Sequence, residues 1–499
     1  AGAVDVSLGA TLGISGTYQG EAGSTLDTSG GSITTLNNAA LLIAGSTLSA
    51  EGSTSKVAVK GTTENYGTVK VASQALIDLA AAVTNRGSGS LQATGAGSAL
   101  TLDAGVDNAG AVDVSLGATL GISGTYQGEA GSTLDTSGGS ITTLNNAALL
   151  IAGSTLSAEG STSKLVVKGT TENYGTVEVA SQALIDLAAA VTNRGGGSLQ
   201  ATGVGSALTL DAGVDNIGAV DASLGATLGI SGTYRGEFGA TLDTSGGSTT
   251  TLNNALLLIT DSTLSAEGSG SSVLVKGTAN SYGTIEAASQ ASIELAAAVI
   301  NRGSGSLQAT GTGSALKLDA GLYNLGTVDA SSGAHLDVFG ADTDLGTMTS
   351  ESGSQITLHG STTGSGQLTA NNGSMILQGA TSGQATASIA NSGKIEFGSS
   401  TDSHVVFGSG GGGLVVDSTS GFSGDVAGFA SGDSLQFNDI LAAGATLGYT
   451  ANGSNTGGTL QITDAQHHVF DLNIVGASYS TANFNPTQDV NHHLVVQFA

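Results

Sequence analysis

Acidic side chains that recur at a fixed interval are the residues of this sequence best suited to chemistry. Four sets share an offset of 108 residues: Asp5/Asp113/Asp221, Asp27/Asp135/Asp243, Asp78/Asp186/Glu294 and Asp103/Asp211/Asp319. Paired carboxylates can cleave glycosidic bonds or bind calcium, so they would suit a polysaccharide lyase or a glycosidase. An active site is normally built once, whereas these acids return in every copy. We therefore predict solvated, outward carboxylates and no catalytic residue.

Histidine is the second residue type that could bind a ligand. All seven histidines follow the region of repeats, at His335, His359, His404, His467, His468, His492 and His493. Adjacent residues on a strand point to opposite faces, so neither neighbouring pair can chelate a metal alone. A shared site would need one histidine from each pair side by side. We predict surface histidines, with no metal-binding or cofactor-binding residue and no cofactor.

Arginine and tyrosine form two further periodic sets. The arginines are Arg86, Arg194 and Arg302, and the tyrosines are Tyr66, Tyr174 and Tyr282. Repeated contacts of this kind could form a multivalent surface for a sugar or a protein. They are equally explained as single turn decorations. Both interpretations stay open from the sequence.

Charge and composition exclude several classes of protein. The formal net charge is −27, which repels phosphate backbones, so we expect no nucleic-acid partner. The chain has no cysteine, and its longest apolar runs, such as Ala39–Gly45, are too short to span a membrane as a helix. We expect no membrane insertion. The first residues lack the pattern of a secretory signal peptide.

The sequence consists largely of tandem copies. Residues 1–108 match residues 109–216 except at Val57/Leu165, Ala58/Val166, Lys70/Glu178, Ser88/Gly196 and Ala96/Val204. A more divergent copy follows at 217–324, then a degenerate region at 325–400 and a compositionally distinct region at 401–499. Such near-identical repeats indicate an architecture in which each unit contacts chiefly its neighbours. The copy begins at Ala1, so this is a fragment of a longer chain or its first coil needs something to dock against.

A shorter pattern divides each copy into five steps of about 20 residues. A turn residue is followed at the second position by Gly or Ala and at the fourth by an aliphatic residue, as in Asn65–Val69 and Asn108–Val112. Steps from 65 to 85, 108, 126, 145 and 173 complete the 108 residues. Apolar residues alternate between the turns, which is the strand signal, and the single proline is Pro486. We predict an all-β fold, a parallel β-solenoid (right-handed β-helix) with a C-terminal β cap.

Asparagine marks the predicted turns. The proposed structural positions are Asn65, Asn85, Asn108, Asn145, Asn173, Asn193, Asn216, Asn324 and Asn391. Asparagine tolerates the left-handed backbone conformation, and stacked copies can form a side-chain ladder. The pattern also continues at Asp344–Met348.

The C-terminal region resembles a module of known secreted proteins. The segments IEFGSS (395–400), GFSGDVAGFASGDSLQFNDI (421–440), TLGYTANGSNTGGTLQITDAQHH (446–468) and FNPTQDVNHHLVV (484–496) carry the resemblance. They look like the C-terminus of large alphaproteobacterial repeat adhesins that use type I secretion. The repeats resemble the β-helical passengers of filamentous-haemagglutinin-like and autotransporter adhesins. No GGxGxDxUx calcium repeat is present, so calcium-driven folding is not implied.

Repeats, composition and resemblance together favour a non-catalytic structural protein. We expect a secreted bacterial cell-surface adhesin stalk or an extracellular fibre subunit, in a setting such as a biofilm. Unpaired strand edges at an uncapped start would allow head-to-tail or lateral self-association. A host or matrix glycan or protein is a second expected partner. The alternatives are a carbohydrate-active β-helix enzyme and a glycan-binding adhesin tip at residues 400–499.

Overall fold

The chain is a parallel β-solenoid of about 21 turns. A computed structural model describes residues 2–499, and the predicted open start at Ala1 lies outside them. Within residues 2–499 the helical content is limited to two single 3₁₀ turns, Thr419–Gly421 and Thr481–Asn483. The predicted all-β parallel solenoid is confirmed. The chain divides into two compact units, Ala1–Asn254 and Ala255–Ala499, here called the N-terminal and C-terminal units.

One coil consists of three short strands separated by turns. In the coil formed by Thr68–Ala72, Leu76–Leu79 and Val83–Asn85, every second side chain points inward and is fully buried. The turn between the first two strands contains Ser73 and Gln74, whose φ angles are 56° and 69°. Left-handed residues at this corner reverse the chain direction within two positions. Alternating sequence and corner turns together produce the coil.

Three parallel sheets of the N-terminal unit result from stacking these coils. The first sheet contains Ala3–Val6, Thr25–Thr28, Thr47–Glu51, Thr68–Ala72, Ser90–Thr94, Ala111–Ser115, Thr133–Ser137, Thr155–Glu159, Thr176–Ala180, Ser198–Thr202, Ala219–Ser223 and Thr241–Ser245. The second contains Thr11–Ile14, Ile33–Leu36, Lys56–Val59, Leu76–Leu79, Ala99–Leu102, Thr119–Ile122, Ile141–Leu144, Lys164–Val167, Leu184–Leu187, Ala207–Leu210, Thr227–Ile230 and Thr249–Leu252. The third contains Tyr18–Gly20, Ala40–Leu42, Thr63–Asn65, Val83–Asn85, Val106–Asn108, Tyr126–Gly128, Ala148–Leu150, Thr171–Asn173, Val191–Asn193, Val214–Asn216 and Tyr234–Gly236.

The C-terminal unit has the same three sheets. Its first sheet contains Thr263–Glu267, Thr284–Ala288, Ser306–Thr310, Thr327–Ser331, Thr347–Glu351, Gln367–Asn371, Thr386–Ala390, His404–Phe407 and Asp425–Ala427. Its second contains Ser272–Val275, Ser292–Leu295, Ala315–Leu318, His335–Val338, Gln355–Leu358, Ser374–Leu377, Gly393–Phe397, Gly412–Val416 and Asp433–Leu441. Its third contains Leu256–Leu258, Ala279–Ser281, Val299–Asn301, Leu322–Asn324, Asp342–Asp344, Thr362–Thr363 and Thr381–Ser382.

Each 108-residue copy occupies five coils, because equivalent third-sheet strands recur five coils apart. From Asn65 the last residues of successive strands are Asn85, Asn108, Gly128, Leu150 and Asn173. The predicted steps at 126 and 145 therefore do not fall at the equivalent position. An apolar side chain, that of Leu150, takes the inward place in that coil, which leaves Asn145 exposed in a turn.

The C-terminal unit ends in antiparallel strands. A meander of Thr446–Ala451, Gly457–Thr463 and Val469–Val475 joins the first sheet, where its last strand pairs in parallel with Asp425–Ala427. Phe484–Gln488 and His493–Phe498 pair antiparallel and extend the second sheet from Asp433–Leu441. Aromatic rings that contact one another fill the space between them, at Phe407, Phe429, Tyr449, Tyr479, Phe484 and Phe498.

Parallel pairing continues beyond residue 400, the boundary suggested by the sequence, as far as Asp433–Leu441. Across residues 2–499 no helix has the length and apolar character needed to cross a membrane.

Candidate functional site

A buried ladder of asparagine side chains runs through the third sheet of the N-terminal unit. Asn173 Nδ2 donates to Asn193 Oδ1 at 2.8 Å, and Asn193 Nδ2 donates to Asn216 Oδ1 at 2.7 Å. Asn216 Nδ2 then donates to the hydroxyl of Tyr234 at 2.8 Å. The same series links Asn65, Asn85, Asn108 and Tyr126. The ladder thus hydrogen-bonds amides that burial would otherwise destabilise.

These asparagines lie at strand ends rather than in left-handed turns. Each is the last residue of a three-residue strand, and its side chain points inward. Asn391 differs, because it is exposed, has a φ of 50° and donates to Asn371 Oδ1 at 2.7 Å. Asn145 is also outside the ladder and accepts a hydrogen bond from Lys168 Nζ at 2.9 Å.

The phenol that ends each complete ladder is deeply buried. Tyr126 and Tyr234 are both fully buried. Burial raises the pKa of Tyr126 to about 12, against the hydrogen bond from Asn108, and burial raises the pKa of Tyr234 as well. Both phenols therefore stay neutral at physiological pH.

The ladder of the C-terminal unit includes a position that sequence analysis missed. Asn301 Nδ2 donates to Asn324 Oδ1 at 2.8 Å. Its own Oδ1 is buried without a hydrogen-bond donor, because Ser281 stands where the N-terminal unit has Asn65 and Asn173. The repeated Asn-Arg-Gly sequence at 85, 193 and 301 could have identified Asn301.

We expect Ser281→Asn to stabilise the C-terminal unit by about 1 kcal/mol, because its amide would supply the donor that Asn301 Oδ1 lacks. The midpoint of chemical denaturation and amide exchange in Val299–Asn301 measure the effect. Ser281→Ala is the matched control, because it offers no donor. A stability of Ser281→Asn equal to or below that of Ser281→Ala would contradict this account.

The periodic tyrosines and arginines meet on the surface in a cluster with glutamate. Tyr174 donates from its hydroxyl to Glu172 Oε1 at 3.1 Å, and Arg194 Nη2 lies 2.9 Å from the same oxygen. Tyr66, Glu64 and Arg86 repeat the arrangement one copy earlier. The carboxylate engages both partners, and an exposed pair of this kind contributes only about 0–1 kcal/mol to stability. Sequence analysis had not singled out the glutamate, although it begins the repeated ENYGTV segment.

The third copy of this cluster has no glutamate. Arg302 Nε donates to Asn280 Oδ1 at 3.0 Å, and the guanidinium lies 5.8 Å from the centre of the Tyr282 ring. Arg302 therefore contacts an amide and an aromatic face where the earlier copies offer a carboxylate. A cation over an aromatic face is attracted by the ring quadrupole.

Two of the periodic acid sets lie beside each other on the first sheet. Asp5 is in register with Asp27, Asp113 with Asp135, and Asp221 with Asp243. Ser157 donates to Asp135 at 2.7 Å. Burial, and then the charge of Asp135, raise the pKa of Asp113. The pair recurs in each copy, as the sequence indicated, and remains a candidate only for the alternative enzymatic function.

The histidines pair with nearby acids. His359 Nε2 lies 3.3 Å from Asp337, and the His359 ring stacks on Phe339. His468 and His493 bind, within their own turns, the acids Asp464 and Asp489. The structure does not bring the two histidine pairs together. In the part of the chain from residue 2 onward, no three His, Asp or Glu side chains are grouped to hold a metal.

A polar cleft of about 420 Å³ opens on the C-terminal unit. Its lining comprises Gln384, Asp402, His404, Ser423, Gly424, Asp425 and Asn473. His404 Nδ1 is hydrogen-bonded to Asp425 Oδ1, and Asp402 accepts hydrogen bonds from the amides of Gly383 and Gln384 at 3.2 Å. These groups could hydrogen-bond a hydroxylated ligand, but the lining contains no aromatic ring on which a sugar could stack.

Comparison with known proteins identifies no family. No protein-family model matches the chain, and no curated protein matches it. Among solved structures, the chain is similar to a crystal structure of a TibC-catalyzed hyper-glycosylated fragment of TibA. The identity is 15% and the TM-score 0.30, over 68% of this chain and 97% of that one. A likeness at this level carries no argument about function.

The interior of the C-terminal unit contains two aspartates that the sequence did not mark as buried. Asp342 and Asp344 both point inward from the strand Asp342–Asp344 and are each 2% exposed. They occupy the positions that Tyr126 and Gly128 hold in their own coil. Burial raises the pKa of Asp342 to about 7, with the Leu322 amide opposing the shift and the charge of Asp344 adding to it. Burial also raises the pKa of Asp344, against hydrogen bonds from Asn324 and Gly346.

Proposed function

We propose that this chain is a non-catalytic structural protein, the stalk of a secreted bacterial cell-surface adhesin or a subunit of an extracellular fibre. The observation that carries the proposal is the hydrogen bonding across the junction between copies. Asn85 of one copy donates to Asn108, which closes that copy, and to the carbonyl of Ala111 in the next. Asn193 forms the same bonds to Asn216 and Ala219.

A junction built in this way allows copies to be added without a new interface. The period is a whole number of coils, so each added copy meets its neighbour in the same register. Selection for length rather than for a unique site is consistent with near-identical copies. The resemblance of the C-terminal segments to secreted repeat adhesins supports an extracellular or cell-surface location.

Self-association, head-to-tail or lateral, and binding of a host or matrix glycan or protein belong to this proposal. Open strand edges and repeated surface clusters are the features that would support such contacts. The Tyr-Glu-Arg cluster recurs every five coils, which is roughly 24 Å at the usual strand spacing.

We expect deletion of residues 109–216 to shorten the N-terminal unit by roughly 24 Å and to leave a folded protein, because five whole coils are removed in register. Electron microscopy or small-angle scattering of the purified chain measures the length, and thermal unfolding measures stability.

The control deletes residues 109–162, half of that copy, which breaks the coil register and should unfold or aggregate. A folded half-copy deletion, or an unfolded whole-copy deletion, would contradict the role of the copies as interchangeable spacers.

A further inference from the structure

Three buried oxygen atoms in one region of the C-terminal unit have no hydrogen-bond partner. They are Asp342 Oδ2, Asp344 Oδ2 and Thr362 Oγ1. The other carboxylate oxygens are used: Asp342 Oδ1 accepts from the Leu322 amide at 3.2 Å, and Asp344 Oδ1 accepts from Asn324 Nδ2 at 2.8 Å. The unpaired oxygens are therefore the outward ends of carboxylates that are already fixed in orientation.

Thr362 lies directly beside Asp342 in the next coil. The two residues are register partners in the third sheet, and both are 2% exposed. Their unpaired oxygens do not hydrogen-bond to each other, although a hydroxyl can donate to a carboxylate. They are thus too far apart for a direct bond. An atom between them would be coordinated from both coils.

The backbone supplies a further oxygen near Asp344. In the ladder, each amide nitrogen also donates to a carbonyl in the next coil, as Asn301 does to Thr327 and Asn324 to Thr347. Thr347 is in register with Gln367, so the Gln367 carbonyl takes this position beside Asp344. Asp344 Oδ2 stands where the ladder has a donor, yet an ionised carboxylate can only accept.

Two negative charges in this interior need neutralisation. In residues 2–499 no Lys, Arg or His forms an ion pair with Asp342 or Asp344. A buried, unpaired carboxylate is strongly destabilising unless it gains a proton, a partner or a metal ion. The unpaired Thr362 hydroxyl points to a ligand rather than to protons alone.

We propose that the space enclosed by Asp342, Asp344 and Thr362 binds a hard divalent cation of the Ca²⁺ type. All the available donors are oxygens, which hard cations prefer. Ca²⁺ accepts carbonyl and hydroxyl ligands in irregular geometry, whereas Mg²⁺ requires near-octahedral geometry and retains several waters. The ion neutralises both carboxylates and links three successive coils. This inference does not depend on the proposed function.

Calcium binding to the full chain tests the proposal. The purified protein is treated with EGTA, transferred to buffer at pH 7.5 and titrated with CaCl₂ in a calorimeter. We expect saturable binding of one ion at this site and a thermal unfolding midpoint raised by roughly 2–5 °C. An equal ionic strength of NaCl should not reproduce the shift.

The double variant Asp342→Leu/Asp344→Asn should lose both the binding and the shift. It uses residues that neighbouring coils already carry at these positions, Leu322 and Asn324, so the coil should still fold. Asp471→Asn removes an exposed acid of the same unit and should keep both effects.

Two results would overturn the proposal. One is calcium binding that persists in the double variant, which would locate the ion elsewhere. The other is wild-type protein with no saturable binding, in which stability rises as the pH is lowered from about 8 to 5 equally with Ca²⁺ and with EGTA. Protons alone would then neutralise the pair, since the pKa of Asp342 is raised to about 7.

Discussion

Replacing Asn193 with alanine is expected to destabilise the surrounding coils of the N-terminal unit by about 3 kcal/mol. The Asn193 amide donates to Asn216 Oδ1 and to the carbonyls of Gly197 and Ala219, and its oxygen accepts from Asn173. Alanine leaves several of these buried groups without a partner and creates a cavity. Each unsatisfied buried group costs about 1–3 kcal/mol.

The matched control for this change is Asn145→Ala. Asn145 is exposed, and its side chain bonds only the Lys168 ammonium among the contacts described, so the change should stay within about 0.5 kcal/mol. Because coils of a solenoid can open locally, amide exchange at Val191–Asn193 is measured beside the denaturation midpoint. Similar effects of the two substitutions would show that the ladder adds no stability.

The coil architecture could be predicted because its causes are local and repeated. Alternating apolar residues determine which side chains point inward, and near-identical copies repeat that choice in the same register. The interval of 108 residues then fixes five coils, since strands of neighbouring coils must stay aligned. The single proline, Pro486, lies in the last part of the chain, outside the stacked interior strands.

The ladder could be predicted only in part. The pattern of asparagine followed by glycine or alanine fits both an inward amide at a strand end, as in Asn173, and an exposed turn residue, as in Asn145. Which of them results depends on whether an apolar side chain, such as Leu150, is available for the inward position. That choice is made by packing within the coil, which a short pattern does not describe.

Contacts between coils were the least predictable feature. Tyr174 and Arg194 appeared as two separate sets because the sequence does not show that one coil brings both to Glu172. The buried pair of aspartates was available in principle. Asp342 and Asp344 share the parity of Leu322 and Asn324, which point inward. Asp344 was instead interpreted as a turn residue, because aspartate is rare in an apolar interior.

Two glycine substitutions one coil apart are expected to have opposite signs. Gly110→Ala should destabilise the N-terminal unit by roughly 3 kcal/mol, because an added Cβ would lie 2.2 Å from the Gly89 carbonyl oxygen and 2.5 Å from that of Arg86. Both obstacles are backbone atoms of the preceding coil. They can move only if the hydrogen bonds between the coils lengthen.

Gly121→Ala is the control, because a Cβ at that position meets nothing within 4 Å. It should be neutral or stabilise the fold by about 0.4–1 kcal/mol through the lower entropy of the unfolded chain. Denaturation midpoints of the two variants against the wild type measure the difference. Close coil stacking at Gly110 is what the repeat interval of five coils requires, so equal midpoints would mean that the coils are spaced more widely there than the hydrogen bonds indicate.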